Sequence, residues 1–451
     1  MKDYNLTEGS ILKKLLMFAV PFLIANVLQS LYGAVDLFVV GRYCTAESVA
    51  AVSTGTQVTQ IITSLAAGLT LGSTVIIGQY KGQNDEERVK QTIGTTLTVF
   101  AGAALLLTVV MLALERPLLT ILRTPAQSFE LTMQYVAVCL LGNIFICGYN
   151  AISAVLRGYG DSARPMMFVA AACVLNIILD FVFVKYCGLN VVGTALATVI
   201  SQGMSMFIAI GYLKKHDFLF DFKPVSFRPV WSIVKKLAYV GIPISFQEMM
   251  VRISFLYLMA MMNTCGVYAA SVVGIGSKYD VFAMLTSTSM ASALAALTAQ
   301  NMGAGKPERA RKSLWYSLGI AVAVSSLFWL WAQLDPRSMI GVFTGDENVI
   351  AAGVPFFKSC SYDYIMTALV FVMNGYLNGK QKTVWTMVSC SFGAVCLRIP
   401  MVYFFAEHFG EDLGMLGKIA PIVSGIMACY TLVYVIYEGK KYEKQRVISN
   451  W

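Results

Sequence analysis

The sequence predicts an all-α polytopic membrane protein, with twelve transmembrane helices in two pseudo-symmetric six-helix bundles around a central cavity. Three observations carry this. Of the 451 residues, 57% are hydrophobic and 13% charged, with a mean hydropathy of +0.66. A soluble chain of that length needs far more charge to cover its surface. Apolar stretches long enough to cross a bilayer recur along the whole chain. The second half also repeats short motifs of the first, in the same order.

In chain order, the spans are expected at residues 15–40, 48–78, 90–114, 129–154, 165–185, 191–213, 237–262, 267–300, 312–334, 354–378, 383–405 and 414–437. Lys2, Lys13 and Lys14 ahead of the first span give it the look of a signal peptide. Its length and the lack of a small-residue cleavage site predict an uncleaved span instead. With the N-terminus on the cytoplasmic side, 24 of the 34 Lys and Arg fall in inside segments and 7 outside, the rest being Arg252, Lys278 and Arg398 within spans. That asymmetry predicts both termini inside a plasma (inner) membrane. The net charge of +9 then belongs to a rim facing anionic lipid and calls for no nucleic acid.

The charged stretch KKHDFLFDFKPVSFRPVWSIVKK, residues 214–236, divides the spans six and six. The expected domains are 1–222 and 223–451. ILKKLLMFAVP (11–21) pairs with IVKKLAYVGIP (233–243), GQYKGQNDEER (78–88) with AQNMGAGKPER (299–309), and GYGDS (158–162) with LNGKQ (377–381). Bundles with an even number of spans are related by an axis along the membrane normal, which is a transporter arrangement. Nothing resembles a channel's selectivity filter. GAGKPE (303–308) lacks the first Gly and the final Ser/Thr of a phosphate-binding loop, and its counterpart marks it as a turn. The ten Cys show no paired spacing and the two His are isolated, so neither a metal nor a redox cofactor is expected, and no enzyme.

An acid near the middle of a span costs roughly 2.5–3.5 kcal/mol on insertion scales. The first half nevertheless has two, Asp36 and Asp180. In LNIILDFVFV (175–184), Asn176 precedes Asp180 by one helical turn, so both occupy one face. Counting from the span ends, Asp36, Asn176, Asp180 and Thr198 lie in one layer about 10 Å thick. These hard oxygens suit Na⁺, and two close carboxyls can equally hold a proton. Asn176 or Thr198 alone fits a helix–helix hydrogen bond equally well. Neither acid recurs in the second half, as expected of a site rather than a scaffold. Pro21 and Pro243 occupy matching places in spans 1 and 7, where each removes a backbone hydrogen bond and bends its helix. The second half carries Glu248, Arg252, Lys278, Asp280, Asp363 and Arg398. Glu248 can pair with Arg252 one turn on. The sequence leaves open whether Glu248, Asp363 and Arg398 face the cavity.

The six-plus-six spans, the repeated GQxxG-type turn and the first-half polar set resemble multidrug and toxic compound extrusion (MATE) transporters, specifically the DinF-like branch, over essentially the whole chain. The resemblance implies Na⁺ or H⁺ coupling at Asp36, Asn176, Asp180 and Thr198, with Tyr135 and Asn150 in the surrounding network and Pro21 in helix bending. Asn150 falls nearer the inner end of its span than the others. The NorM-like branch has an acid eight residues after the span-7 proline. That position is Val251 here, with Glu248 three residues earlier. The function implied is a cation-coupled antiporter, acting as a monomer, that exports amphipathic, often cationic compounds by alternating access. The alternative is a flippase for a lipid-linked oligosaccharide or another large amphiphile, which fourteen spans and a basic cavity would favour.

Overall fold

The computed structural model describes residues 5–449 apart from 123, 217, 410 and 411. The described chain is helical, with short turns and a 3₁₀ turn at Pro224–Phe227. Helices α1 (Ile11–Tyr43), α2 (Ala46–Gly82) and α3 (Glu86–Ile121) are followed by α4 (Ala126–Leu141) and α5 (Asn143–Tyr159). Next come α6 (Ala163–Asp180), a π-helical turn Phe181–Tyr186, and α7 (Asn190–Lys215). After the linker come α8 (Trp231–Thr264), α9 (Val267–Gly303), α10 (Pro307–Leu334), α11 (Pro336–Gly341), α12 (Glu347–Cys360) and α13 (Tyr362–Gly379). The chain ends through α14 (Thr383–Ser391), a second π turn Phe392–Arg398, α15 (Ile399–Phe409), α16 (Leu413–Leu416) and α17 (Ile419–Ser449).

Among the described residues nine helices are long and apolar enough to cross a membrane, and the α4–α5 pair makes a tenth. The places of the other two predicted spans are held by α8 and by the α12–α13 pair. Both carry charge: Glu248 and Arg252 on α8, Lys358 and Asp363 on α12 and α13.

Local signals set the helix ends. The Asp85 carboxylate accepts from the Arg88 amide at 3.0 Å, while Glu86 and Glu87 meet the positive end of α3. Gly160 closes α5 with φ of 103°, a left-handed conformation that costs a residue without Cβ nothing.

The chain packs as two compact units. The first comprises Met1–Gly9, Leu16–Ser245 and Ala299–Gly305. Within it α2 is central, lying against α3, α4 and α5, and α6 pairs with α7. Two thirds of the α2 apolar window is buried in protein, against 17% for α3, whose Leu105, Leu106 and Val109 face outward. The last turns of α2 and α9 meet in this unit. A Cβ on Gly82 would overlap the Gln300 carbonyl oxygen, and one on Gly303 would overlap the Gln79 carbonyl oxygen. Gln300 also donates to the Gly158 carbonyl at 2.9 Å and accepts from the Leu6 amide at 3.2 Å. The second unit comprises Ser10–Leu15, Phe246–Thr298 and Lys306–Trp451. There α13 lies between α10 and α17.

The predicted continuous span over 129–154 is corrected: α4 and α5 meet at Gly142 with a 46° bend. The bend is built by neighbours. Thr108 of α3 donates to the Leu140 carbonyl at 3.0 Å, at the last turn of α4, and Asn143 donates to the Ala104 carbonyl at 3.2 Å. Val199 of α7 fills the notch where Gly142 lacks a side chain. Gly142→Ala should therefore lower stability by about 1–3 kcal/mol, and adding Val199→Ala should recover most of it. Thermal unfolding of the purified single and double variants checks this. Equal losses in both would mean that Val199 is not the obstacle.

Candidate cation site

Three helices of the first unit bring oxygens to one buried point. Asp36 lies on α1, Asn176 and Asp180 on α6, and Thr198 on α7. Asp36 is 3% exposed, and Asn176 and Asp180 not at all. Thr198 donates its hydroxyl to Asp36 Oδ2 at 3.2 Å. The Asn176 amide points its Nδ2 at Asp36 Oδ1 and Thr198 Oγ1, at 3.5 and 3.4 Å. These last two bonds are long and therefore weak.

Asp180 neighbours Asp36, yet both of its oxygens are buried without a hydrogen-bond partner, as is Asn176 Oδ1. Neither acid has a Lys or Arg within ion-pair distance among the described residues. Buried polar groups are paired almost without exception, and leaving a buried charge unpaired is far costlier than leaving an amide so. Two adjoining buried carboxyls with an unsatisfied amide oxygen on the same helix as one of them therefore form a set that a small cation can satisfy: a proton between the carboxyls, or Na⁺ among the oxygens. The α-helix also gives way to π geometry one residue beyond Asp180, a distortion found frequently at functional sites.

Tyr135 sits beside this set. Its ring fits because Gly55 on α2 has no side chain to block it, and its hydroxyl lies 3.5 Å from Thr56 Oγ1. Asn150 does not join the four. Its amide donates to the Ile146 carbonyl of its own helix at 3.0 Å. Pro21 lies inside an α1 that continues for 33 residues, and Pro243 inside α8.

Sequence reasoning missed three buried neighbours. Tyr32, one turn before Asp36, has a buried hydroxyl without a partner, as does Thr194, one turn before Thr198. Cys139 lies one turn beyond Tyr135, close to it and to Asp36. Spacing by four from the named residues was the available signal.

The second-half residues converge separately, within the second unit. Glu248 and Arg398 line a cavity of about 50 Å³ together with Gln247, Phe255, Asn374 and Ser424. Asp363 is 4% exposed and lies beside Thr367 and Ser424. Among the described residues no group of three His, Cys, Asp or Glu could hold a metal ion.

Comparison with known proteins accounts for this arrangement. The MatE family model matches the chain twice, over residues 21–182 and 243–404, so the two copies lie 222 residues apart. "Probable multidrug resistance protein YpnP" of Bacillus subtilis is 26% identical over 413 residues, 91% of this chain and 92% of that protein. An "FAD transporter" of Shewanella oneidensis is 26% identical over 464 residues, 98% of each. Among solved structures, a MATE protein in the bent conformation superposes with a TM-score of 0.93 at 22% identity, over 99% of both chains. The doubled family match, the twelve span positions and the whole-chain similarity agree: this multi-pass membrane protein belongs to the MATE family of transporters and is not an enzyme.

Proposed function

We propose that the protein is a cation-coupled multidrug antiporter. It exports amphipathic, often cationic compounds, and the inward flow of Na⁺ or H⁺ through the Asp36–Asp180 site drives each cycle. The observation that carries this reading is the pair of partnerless Asp180 oxygens next to Asp36, buried where no base neutralises either acid. Intramembrane acids in that condition mark ion pathways. A cation entering the site removes the cost of the buried charge, so the arrangement that buries the acids is stabilised by the ion. An arrangement that opens them to water is favoured when the ion leaves. If substrate favours the opposite arrangement from the ion, the two are linked by one coupling free energy, and each lowers the other's affinity by the same factor.

In this reading Asp36, Asp180, the Asn176 carbonyl and Thr198 hold the ion, and Tyr135 closes the site on the α4 side. Asn150 supports its own helix, and Pro21 and Pro243 supply points of bending. The halves 1–222 and 223–451 act as the two moving bundles of a monomer with both termini cytoplasmic. The relatives named for multidrug resistance and for FAD transport support an organic substrate.

Proteoliposomes containing a fluorescent cationic dye provide the test. Imposing a Na⁺ gradient and a pH gradient in separate arms should drive dye movement against its own gradient in one arm or both. Thr198→Ala, which removes one donor to Asp36 but no charge, should weaken coupling about 10–100-fold without abolishing it, the scale of one hydrogen bond to a charged group. Dye flux that follows only the dye's own gradient in both arms would sink the proposal.

A further inference from the structure

The two halves treat buried acid differently. In the first, Asp36 and Asp180 have no basic partner. In the second, Asp363 is buried within its span, and a buried base accompanies it: Arg398 is 6% exposed. Its Nη1 donates to Ser254 at 3.1 Å, and its guanidinium lies over the Phe255 ring, 4.4 Å from the centroid. Both contacts hold the head group in place. No carboxylate reaches Arg398 within ion-pair distance among the described residues, though Asp363 and the half-buried Asp280 are within electrostatic reach. Arg398 Nε and Asp363 Oδ1 are each buried without a partner, and so are Asn374 Oδ1 and Gln247 Oε1 at the cavity wall. The cavity against Arg398 is large enough for several waters, and two of its lining residues, Thr367 and Ser424, are the neighbours of Asp363.

The repeat sharpens the contrast. The repeat shifts of 219 to 222 residues carry Asn176 into positions 395–398, the stretch that holds Arg398. The first half thus has an amide reaching towards an acid, and the second has a positive charge on a side chain. An Arg is held by its own chain, always charged, and cannot be carried across the membrane. A buried charge left alone costs several kcal/mol, so Asp363 needs a positive partner of some kind.

We propose that Arg398 is a tethered cation holding the place of a small mobile one: the cavity binds no Na⁺ while the guanidinium is present and takes up a small cation once it is removed. The second half then adds no exchangeable ion to the cycle. Phe255 and Ser254 set where the tethered charge sits, and Asp363 is the acid it serves. Glu248, which also lines the cavity, is near the exposed Arg252 and is not the acid in question.

The experiment uses the full chain in the Asp36→Asn/Asp180→Asn background, so its outcome does not depend on the first-half site. Thermal unfolding is followed in choline buffer with rising NaCl or rising guanidinium chloride at concentrations far below denaturing ones. With Arg398 present the midpoint should not distinguish Na⁺ from choline. In Arg398→Ala it should rise saturably with Na⁺ or guanidinium, as binding to the folded state requires. In Arg398→Ala/Asp363→Asn the response should vanish. A Na⁺ response with Arg398 in place that Asp363→Asn removes would overturn the proposal, as would a folded Arg398→Ala indifferent to both cations. Should Arg398→Ala not fold, adding Asp363→Asn must restore a monodisperse protein, because the unpaired charge is then gone. If it does not, the proposal fails as well.

Discussion

Asp180→Asn is expected to remove most of the gradient-driven dye accumulation in proteoliposomes while leaving the protein as stable as the parent, or more so. The substitution keeps size and shape and removes only the ionisable oxygen. The Asp180 oxygens meet no side chain but Asp36, through a proton held between the two carboxyls; an amide can donate to Asp36 in that proton's place, and it is cheaper to bury than a charge. Only the exchange of a cation should suffer. Coupling energies between transported species are about 1–3 kcal/mol, so the driven component should fall roughly 5–150-fold. Asp36→Asn should have the same functional effect with a different structural signature. Asp36 accepts from Thr198 and Asn176, so its loss disturbs two contacts and should cost some stability. Dye accumulation and the thermal midpoint, measured on both variants, separate the two roles. Undiminished accumulation in both variants would show that coupling lies elsewhere.

Gly82→Leu and Gly303→Leu should each prevent recovery of a folded, monodisperse protein. A Cβ at either position would overlap a main-chain carbonyl, Gln300 for one and Gln79 for the other. A side chain can rotate out of the way, but a carbonyl within a helix moves only with its helix. Even Ala at these positions should cost about 1–3 kcal/mol, and Leu more. The damage should also spread, because Gln300 bonds to Gly158 and Leu6 in the same region. Gly319→Leu on α10 is the control, since a Cβ there meets nothing within 4 Å. Size-exclusion profiles of the three variants give the answer. Normal profiles for the Gly82 and Gly303 variants would mean that the two helix ends part at little cost.

The twelve span positions were legible because a bilayer demands long apolar runs and leaves little room for alternatives. The Asp36, Asn176, Asp180 and Thr198 set was legible for the complementary reason, since polar groups in such runs are rare and their depths can be counted from the span ends. The bend at Gly142 was not legible. Glycine occurs throughout the chain, and what makes this one a corner is Thr108 of α3 bonding to Leu140 on one side of it and Asn143 bonding to Ala104 on the other, a tertiary event. Asn150 shows the same limit. An amide at the right depth can bond across helices or to its own backbone, and only the rotamer separates these. The partners of Arg398 were hidden likewise: Ser254 and Phe255 lie 144 and 143 positions away in the chain, and nothing in their spacing announces a guanidinium.

The meeting of α2 and α9 carries a consequence for how a doubled gene product can change. At Gly82 and Gly303 each copy is the mould in which the other is cast, since the clearance on one side is the main chain of the other. Elsewhere the halves were free to diverge, as the acids of one and the arginine of the other attest. At this seam a bulkier residue on either side has nowhere to go unless the opposite strand of the duplicate retreats with it, so the two copies are bound to drift together or not at all.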